Sequence, residues 1–292
     1  MRGLTSASLS FGNGVVLDSP DYLEYFGGDH EVETIAMYLE GVKDGRKFLR
    51  VLKEVAARKP VVIWRGGWTE AGGRAIASHT ASLAVPQAVW EAVIKQSGAI
   101  MVEGMEELVD TLKALFHLPP VRGERVAVVG GAGGDSVAIT DILSRFGLKV
   151  PLLTQKSYDE LDTFFSLVGG SYRNPVDTDI GRNRPQLERI MQILAQDENI
   201  DSILLLSRVA HLFANELQRV DVAAAVNTRK KTAKPVLAVV RYSTPEHMAQ
   251  AIEEKQLFQA GGVPVFPTME RGACALKNVV DYYRRRDSME SA

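Results

Sequence analysis

Among the 292 residues there is a single cysteine, Cys274. One thiol closes no internal disulfide and builds no cysteine-based zinc site, and it fits a reducing, cytoplasmic compartment. Long apolar runs are missing as well. None reaches the roughly 20 residues that span a bilayer, so no membrane association is expected. The opening residues MRGLTSASLSFGNG carry one early arginine and no extended apolar stretch, and no signal peptide is expected. Charge of one sign is lacking too: 34 Lys plus Arg stand against 36 Asp plus Glu, a net charge of −2. Proteins that rely on phosphate-backbone contacts carry a basic excess, so nucleic acid is not an expected partner. Aromatics are sparse at 7%, yet 46% of the residues are hydrophobic and 24% charged, which excludes a disordered or fibrous chain. At roughly 100–200 residues per domain, the length suggests about two domains.

What is present is an alternation of short apolar runs with amphipathic ones. TIAMYLE (34–40), VVIWR (61–65), AIMV (99–102), RVAVVG (125–130), KVPLL (149–153), SILLLS (202–207) and VLAVVR (236–241) read as strands. Several are continuously apolar, the pattern of parallel strands buried on both faces. Helical spacing appears over 44–59, 86–98, 105–118, 135–147, 185–196, 214–227, 244–261 and 269–286, and RRRDSMESA reads as a frayed polar tail. The alternation predicts an α/β protein with parallel sheets. HLPPVRGER (117–125) interrupts the pattern with two prolines and a glycine, so we place one domain at 1–121 and a second at 122–292. The first opens with a weak strand, LTSASLS (4–10), and a GNG turn at 12–14.

Two segments lie where α/β proteins place their sites, after a parallel strand and before a helix. RGGWTEAGGRAIASHTASLAVP (65–86) reads as a loop with four glycines ahead of a lone histidine, His79, flanked by Ser78, Thr80 and Ser82. Small and hydroxyl residues of this kind wrap closely around an anion; a surface or satisfied core histidine is the bland alternative. VVGGAGGDS (128–136) has four glycines in five residues: Gly130, Gly131, Gly133 and Gly134, with Ala132 between them. Inward backbone N–H groups and the start of the next helix make a phosphate cradle. The spacing is neither a Walker A motif nor a clean GxGxxG, and a tight turn without ligand stays open. Glu40 closes the run 34–40. A carboxylate there can accept from an imidazole Nδ1–H and leave Nε2 as nucleophile, or it can be an ordinary surface glutamate. In NPVDTDIG (174–181) the Asn and Asp are read as closing the backbone. His30, His117, His211 and His247 show no metal-ligand spacing, no metal site is expected, and Cys274 reads as buried on a helical stripe.

The string KPVVIWRGGWTEAGGRAIASHTASLA (59–84) resembles the phosphohistidine segment of NDP-forming acyl-CoA synthetases, relatives of succinyl-CoA synthetase that include the ADP-forming acetyl-CoA synthetases. YLEGVKDGRKF (38–48), RVAVVGGAGG (125–134), RNPVD (173–177) and GVPVFPTMERGACAL (262–276) agree in the same order, so the likeness runs from about residue 3 to 282. It implies two flavodoxin-like (succinyl-CoA synthetase-like) domains, the first without its opening strand and helix. It implies a ligase that interconverts acyl-CoA, ADP and phosphate with acid, CoA and ATP. By resemblance His79 carries the phosphoryl group, Glu40 contacts it, and Ser78, Thr80 and Gly130 to Gly134 bind phosphate. No cofactor is held tightly; CoA, ATP or ADP and magnesium are substrates of the complete enzyme. The CoA-binding Rossmann and ATP-grasp modules that accompany these domains elsewhere are expected in trans, with a small-molecule acid as the further partner. An apolar surface left open in the first domain would predict association into a homo-oligomer. Ala81 and Val85 stand where the family has glycine, and Gly131, Asp135 and Ser136 also depart from its pattern. Asp135 suits the helix dipole and competes with a phosphate. A non-catalytic regulatory or assembly module is the alternative reading.

Overall fold

The computed structural model describes residues 7–12, 14–80, 85–131, 133–167, 171–178, 184–209, 214–242 and 244–290, with backbone alone at 76–80, 184, 214–219 and 290. By internal contact the chain divides into two units, Met1–Leu112 with Tyr282–Ala292, and Lys113–Asp281.

In the first unit, β1 (Ile35–Leu39), β2 (Val61–Arg65) and β3 (Ile100–Val102) form a parallel sheet in that order. The register sets Leu39 beside Arg65 and Trp64 beside Val102. With them fold α1 (Ser19–Gly28), α2 (Gly45–Ala56), α3 (Glu70–Thr80), α4 (Gln87–Ser97) and the start of α5 (Met105–His117). Asp44 begins α2 by accepting the Lys47 amide, and Phe48, Val51, Leu52 and Val55 follow at helical spacing and are buried. They share one core with Leu23, Ile63 and Trp90. The last turns of the chain return to this unit. Tyr282 is fully buried and its hydroxyl donates to the Ala56 carbonyl at 3.4 Å.

In the second unit, β4 (Val126–Gly130), β5 (Ser202–Val209), β6 (Val236–Tyr242) and β7 (Val265–Phe266) are parallel and adjacent in that order. Its helices are α6 (Gly133–Arg145), α7 (Gln155–Asp162), α8 (Leu187–Gln196), α9 (Ala214–Lys231), α10 (Met248–Ala260) and α11 (Met269–Glu290). β4 is buried along its whole length, as its unbroken apolar run predicts for a strand covered on both faces.

The outer edge of β4 departs from the sequence reading. KVPLL does not form a strand. Only Lys149 pairs there, as an isolated bridge to Arg125, and Val176 bridges Val129 further along. Between the two, the side chain of Asn174 stands in for a strand. Its Oδ1 accepts the Val128 N–H, and its Nδ2 donates to the Val126 and Pro151 carbonyls, each at 2.9 Å. Pro151 has no N–H to give to a ladder. A local turn-closing role was expected of Asn174; instead its bonds reach partners 23, 46 and 48 positions away and close the edge of β4. The chain leaves β4 through α6 toward the Lys149 edge and later reaches β5 on the opposite side. This is the strand reversal at which flavodoxin-like sheets place their ligands.

Other elements also differ. α1, α7 and β7 were not expected, and α11 runs through Glu290 where a frayed tail was expected. Residues 7–10 form no strand, and residues 4–6 of that expected strand lie outside the described ones. Cys274, expected to be buried, is partly exposed.

Asp201 ties the entry of β5 to that of β4. Its carboxylate accepts the Arg125 backbone N–H and Nε at 2.9 Å and Nη2 at 2.7 Å. Burial pushes the Asp201 carboxyl up, but the Arg125 donors outweigh it and hold it below the ordinary aspartate value. A depressed folded pKa stabilises fully above the unfolded value of about 3.9, and the stabilisation is lost as pH falls through the folded value. Asp201→Asn is expected to cost about 2 kcal/mol in denaturant unfolding at pH 7, with the gap from wild type closing below about pH 4. A gap unchanged at pH 2 would show that the carboxylate charge is not its source.

Candidate functional site

The carboxyl ends of β1 and β2 lie side by side in the first unit, where the Gly66 N–H donates to the Leu39 carbonyl at 2.9 Å. Glu40 follows β1 directly and is half-buried. The Tyr38 hydroxyl donates to Glu40 Oε1 at 3.1 Å, and the Tyr38 ring rests against Trp64 with centroids 4.6 Å apart. Burial first, then the Glu40 carboxylate, push the Tyr38 phenol above its ordinary value, so it stays a donor at neutral pH.

From the same sheet end the chain passes Gly67, at φ 75°, into α3. Thr69 starts the helix: its Oγ1 accepts the Gly72 N–H at 3.0 Å and its carbonyl the Gly73 N–H at 2.8 Å. Glu70 and Arg74 pair one turn apart at 2.7 Å. The open loop expected over 65–86 is thus corrected, because residues 70–80 are helical. Ser78, His79 and Thr80 sit in the last turn of the α3 backbone. Their side chains lie outside the described ones, as do Ala81 and Ser82. Thr69 and the Glu70–Arg74 spacing were the signals for this helix, and Gly72 with Gly73 obscured them.

Arg65, the last residue of β2, is a feature that sequence reasoning passed over. It is 4% exposed. Its Nη2 donates to the Val85 carbonyl at 2.7 Å and the Gly67 carbonyl at 3.4 Å, so it ties together the two flanks of the α3 excursion. The indoles of Trp68 and Trp90 stand 5.7 and 5.9 Å from its guanidinium carbon. A basic residue ending an apolar strand is the signal that pointed to it.

The glycine-rich segment belongs to the second unit. Gly130 and Gly131 take φ of 94° and 77°, and α6 begins at Gly133, two residues earlier than its periodicity suggests. A Cβ at Gly133 or Gly134 would meet nothing within 4 Å, so backbone in this first turn is open to a ligand. Ala132 lies outside the described residues. The negative charge that Asp135 brings to this helix start is answered by two arginines. Arg241 Nη2 lies 2.8 Å and Arg208 Nη2 3.7 Å from its carboxylate. Arg208 and Arg241 are register partners on β5 and β6. Two guanidinium groups against one carboxylate leave a net positive charge beside the positive end of α6, which suits an anion. Ser136 donates to Asp177, which joins α6 to the segment after Asn174. Among the described residues no cluster of His, Cys, Asp and Glu could hold a metal ion, and no helix is long and apolar enough to cross a membrane.

Residues 3–115 match the family described as succinyl-CoA ligase like flavodoxin domain. Over 274 residues the chain is 35% identical to the alpha subunit of acetate–CoA ligase (ADP-forming) II of Pyrococcus furiosus, covering 92% of this chain and 58% of that subunit. For the alpha subunit of ligase I of the same organism the identity is 33%, over 93% of this chain and 57% of that subunit. Among solved structures, the dinucleotide forming acetyl-coenzyme A synthetase 1 of Candidatus Korarchaeum cryptofilum, in complex with phosphate and ADP, is similar with a TM-score of 0.84 at 28% identity. That likeness covers 97% of this chain and 60% of the other. The chain therefore spans somewhat more than half the length of these relatives. With two parallel flavodoxin-like sheets and this kinship over nearly all its residues, it belongs to the family of NDP-forming acyl-CoA synthetases.

Proposed function

We propose that the chain is part or a subunit of an NDP-forming acyl-CoA synthetase, with His79 as phosphoryl carrier. The observation that carries this reading is a histidine on the helix leaving the sheet end beside Glu40, in a chain related to ADP-forming ligase alpha subunits over 92% of its length. The carrier and Glu40 both belong to the first unit.

In the forward direction the lone pair on Nε2 of a neutral imidazole attacks the phosphorus of an acyl phosphate. The N–P bond forms as the bond from phosphorus to the acyl oxygen breaks, and the carboxylate leaves with that electron pair. The imidazole keeps its Nδ1 proton, with Glu40 as the acceptor that orients it. A β-phosphate oxygen of ADP then attacks phosphorus, the N–P electron pair returns to Nε2, and ATP departs. Such transfers depend on positioning and charge stabilisation, which helix starts provide without competing nucleophiles. CoA, ADP or ATP, magnesium and a small acid are the substrates of the complete assembly. A CoA-binding Rossmann domain and an ATP-grasp domain are its partners.

The test is phosphoryl labelling. The chain is mixed with an ATP-grasp partner, magnesium and γ-labelled ATP. Acid-labile, base-stable label is expected on the wild type and is expected to vanish in His79→Asn. A folded wild type that takes no label would instead favour a non-catalytic regulatory or assembly module.

A further inference from the structure

We propose that Arg65 is the fixed cation that binds the phosphoryl group at this sheet end, donating to a phosphate dianion from its Nη1, which has no hydrogen-bond partner among the described residues. The assignment deepens the phosphoryl-carrier reading and rests on it for the identity of the anion.

The argument begins with charge. Arginine stays protonated inside proteins, and taking it out of water costs several kcal/mol unless an anion answers it. Arg65 is 4% exposed, yet among the described residues no carboxylate lies within 4 Å of it. Burial alone pulls its guanidinium below the ordinary value, with no acidic neighbour opposing the shift. Residues 76–84, IASHTASLA, hold no aspartate or glutamate that could supply the missing charge. The two indoles partly compensate, as cation–π contacts do, but they accept no hydrogen bond in the guanidinium plane.

Hydrogen bonding points the same way. Nη2 is engaged by the Val85 and Gly67 carbonyls, whereas Nη1 is buried and has no hydrogen-bond partner among the described residues. A guanidinium is a flat fork that suits phosphate oxygens. Trp68 and Trp90 flank it and the two carbonyls hold one side, so the fork is fixed before any ligand arrives. Its position fits as well. Arg65 is the register partner of Leu39, the residue before Glu40, and it stands where the chain departs toward α3 and His79. Sheet ends of this kind are where α/β proteins bind ligands.

A plain structural clamp would use the same Nη2 bonds, so the test must read the anion directly. In 15N NMR of the full chain, the Arg65 Nε–H signal, assigned by its absence from Arg65→Lys, should shift on titration with inorganic phosphate. Chloride at matched ionic strength should leave it in place. In thermal unfolding, phosphate should raise the Tm of the wild type and of His79→Asn. Arg65→Gln, which keeps donors for the two carbonyls, should bind phosphate at least tenfold more weakly. A clamp alone would lower the Tm of Arg65→Gln in chloride and leave its phosphate affinity unchanged. That result, or an Nε–H signal indifferent to phosphate, overturns the proposal. Failure of the carrier reading looks different: a phosphate-responsive Arg65 in a chain whose His79 takes no label.

Discussion

Gly130→Ala is expected to destabilise the second unit by about 3–5 kcal/mol. Two causes add. At φ 94° an L side chain carries backbone strain, and a Cβ there would stand 2.2 Å from the Leu206 carbonyl oxygen. That oxygen belongs to β5, the paired strand, and cannot retreat without breaking the register of Gly130 with Leu206. Gly133→Ala is the control, since a methyl group there meets nothing within 4 Å and stands in a helical first turn. Urea unfolding should separate the two by several kcal/mol. Equal stabilities would mean that the turn after β4 relaxes freely. If the α6 start binds phosphate, Gly133→Ala should keep its stability and still bind more weakly, because the methyl group would stand where the anion approaches.

Asn174→Ala is expected to cost about 3 kcal/mol, close to 1 kcal/mol for each of its three hydrogen bonds. The residue is 8% exposed, and truncation would leave the Val128 N–H and the Val126 and Pro151 carbonyls without their partner. Asn174→Asp keeps the acceptor and loses both donations, so its midpoint in chemical unfolding should fall between the other two. Amide exchange gives a local check: the Val128 N–H should lose its protection in Asn174→Ala. Protection equal to wild type would mean that another group closes the β4 edge.

Much of the fold was legible because the strands of its parallel sheets are short, nearly unbroken apolar runs, even β1, which is buried on one face only. The runs at β1 to β6 are apolar almost without interruption, and no amphipathic helix of that length competes for them. β7 was lost because two residues carry no period. α1 was lost because SPDYLEYFGG offers only Leu23 as a large buried apolar anchor. KVPLL misled because apolar content does not reveal that Asn174 supplies the hydrogen bonds a neighbouring strand would make. At the candidate site the limits were of another kind. The histidine segment and the glycine cluster were visible by composition. Helix α3 was masked by Gly72 and Gly73, whose low propensity is overridden by the Thr69 cap. Arg208 and Arg241 were out of reach: only the register of β5 and β6 sets them side by side beside Asp135.

The return of α11 to the first unit has a temporal meaning. Tyr282 is fully buried and bonds Ala56, although 226 positions separate them along the chain. During synthesis β1, β2 and β3 emerge first, and Tyr282 follows only after the whole of Lys113–Asp281. The unit made first must therefore wait, partly assembled, while the residues of the second unit are added. Completion of the first unit is thereby delayed until the second has been synthesised, and its nascent apolar strands stay incompletely covered for that interval.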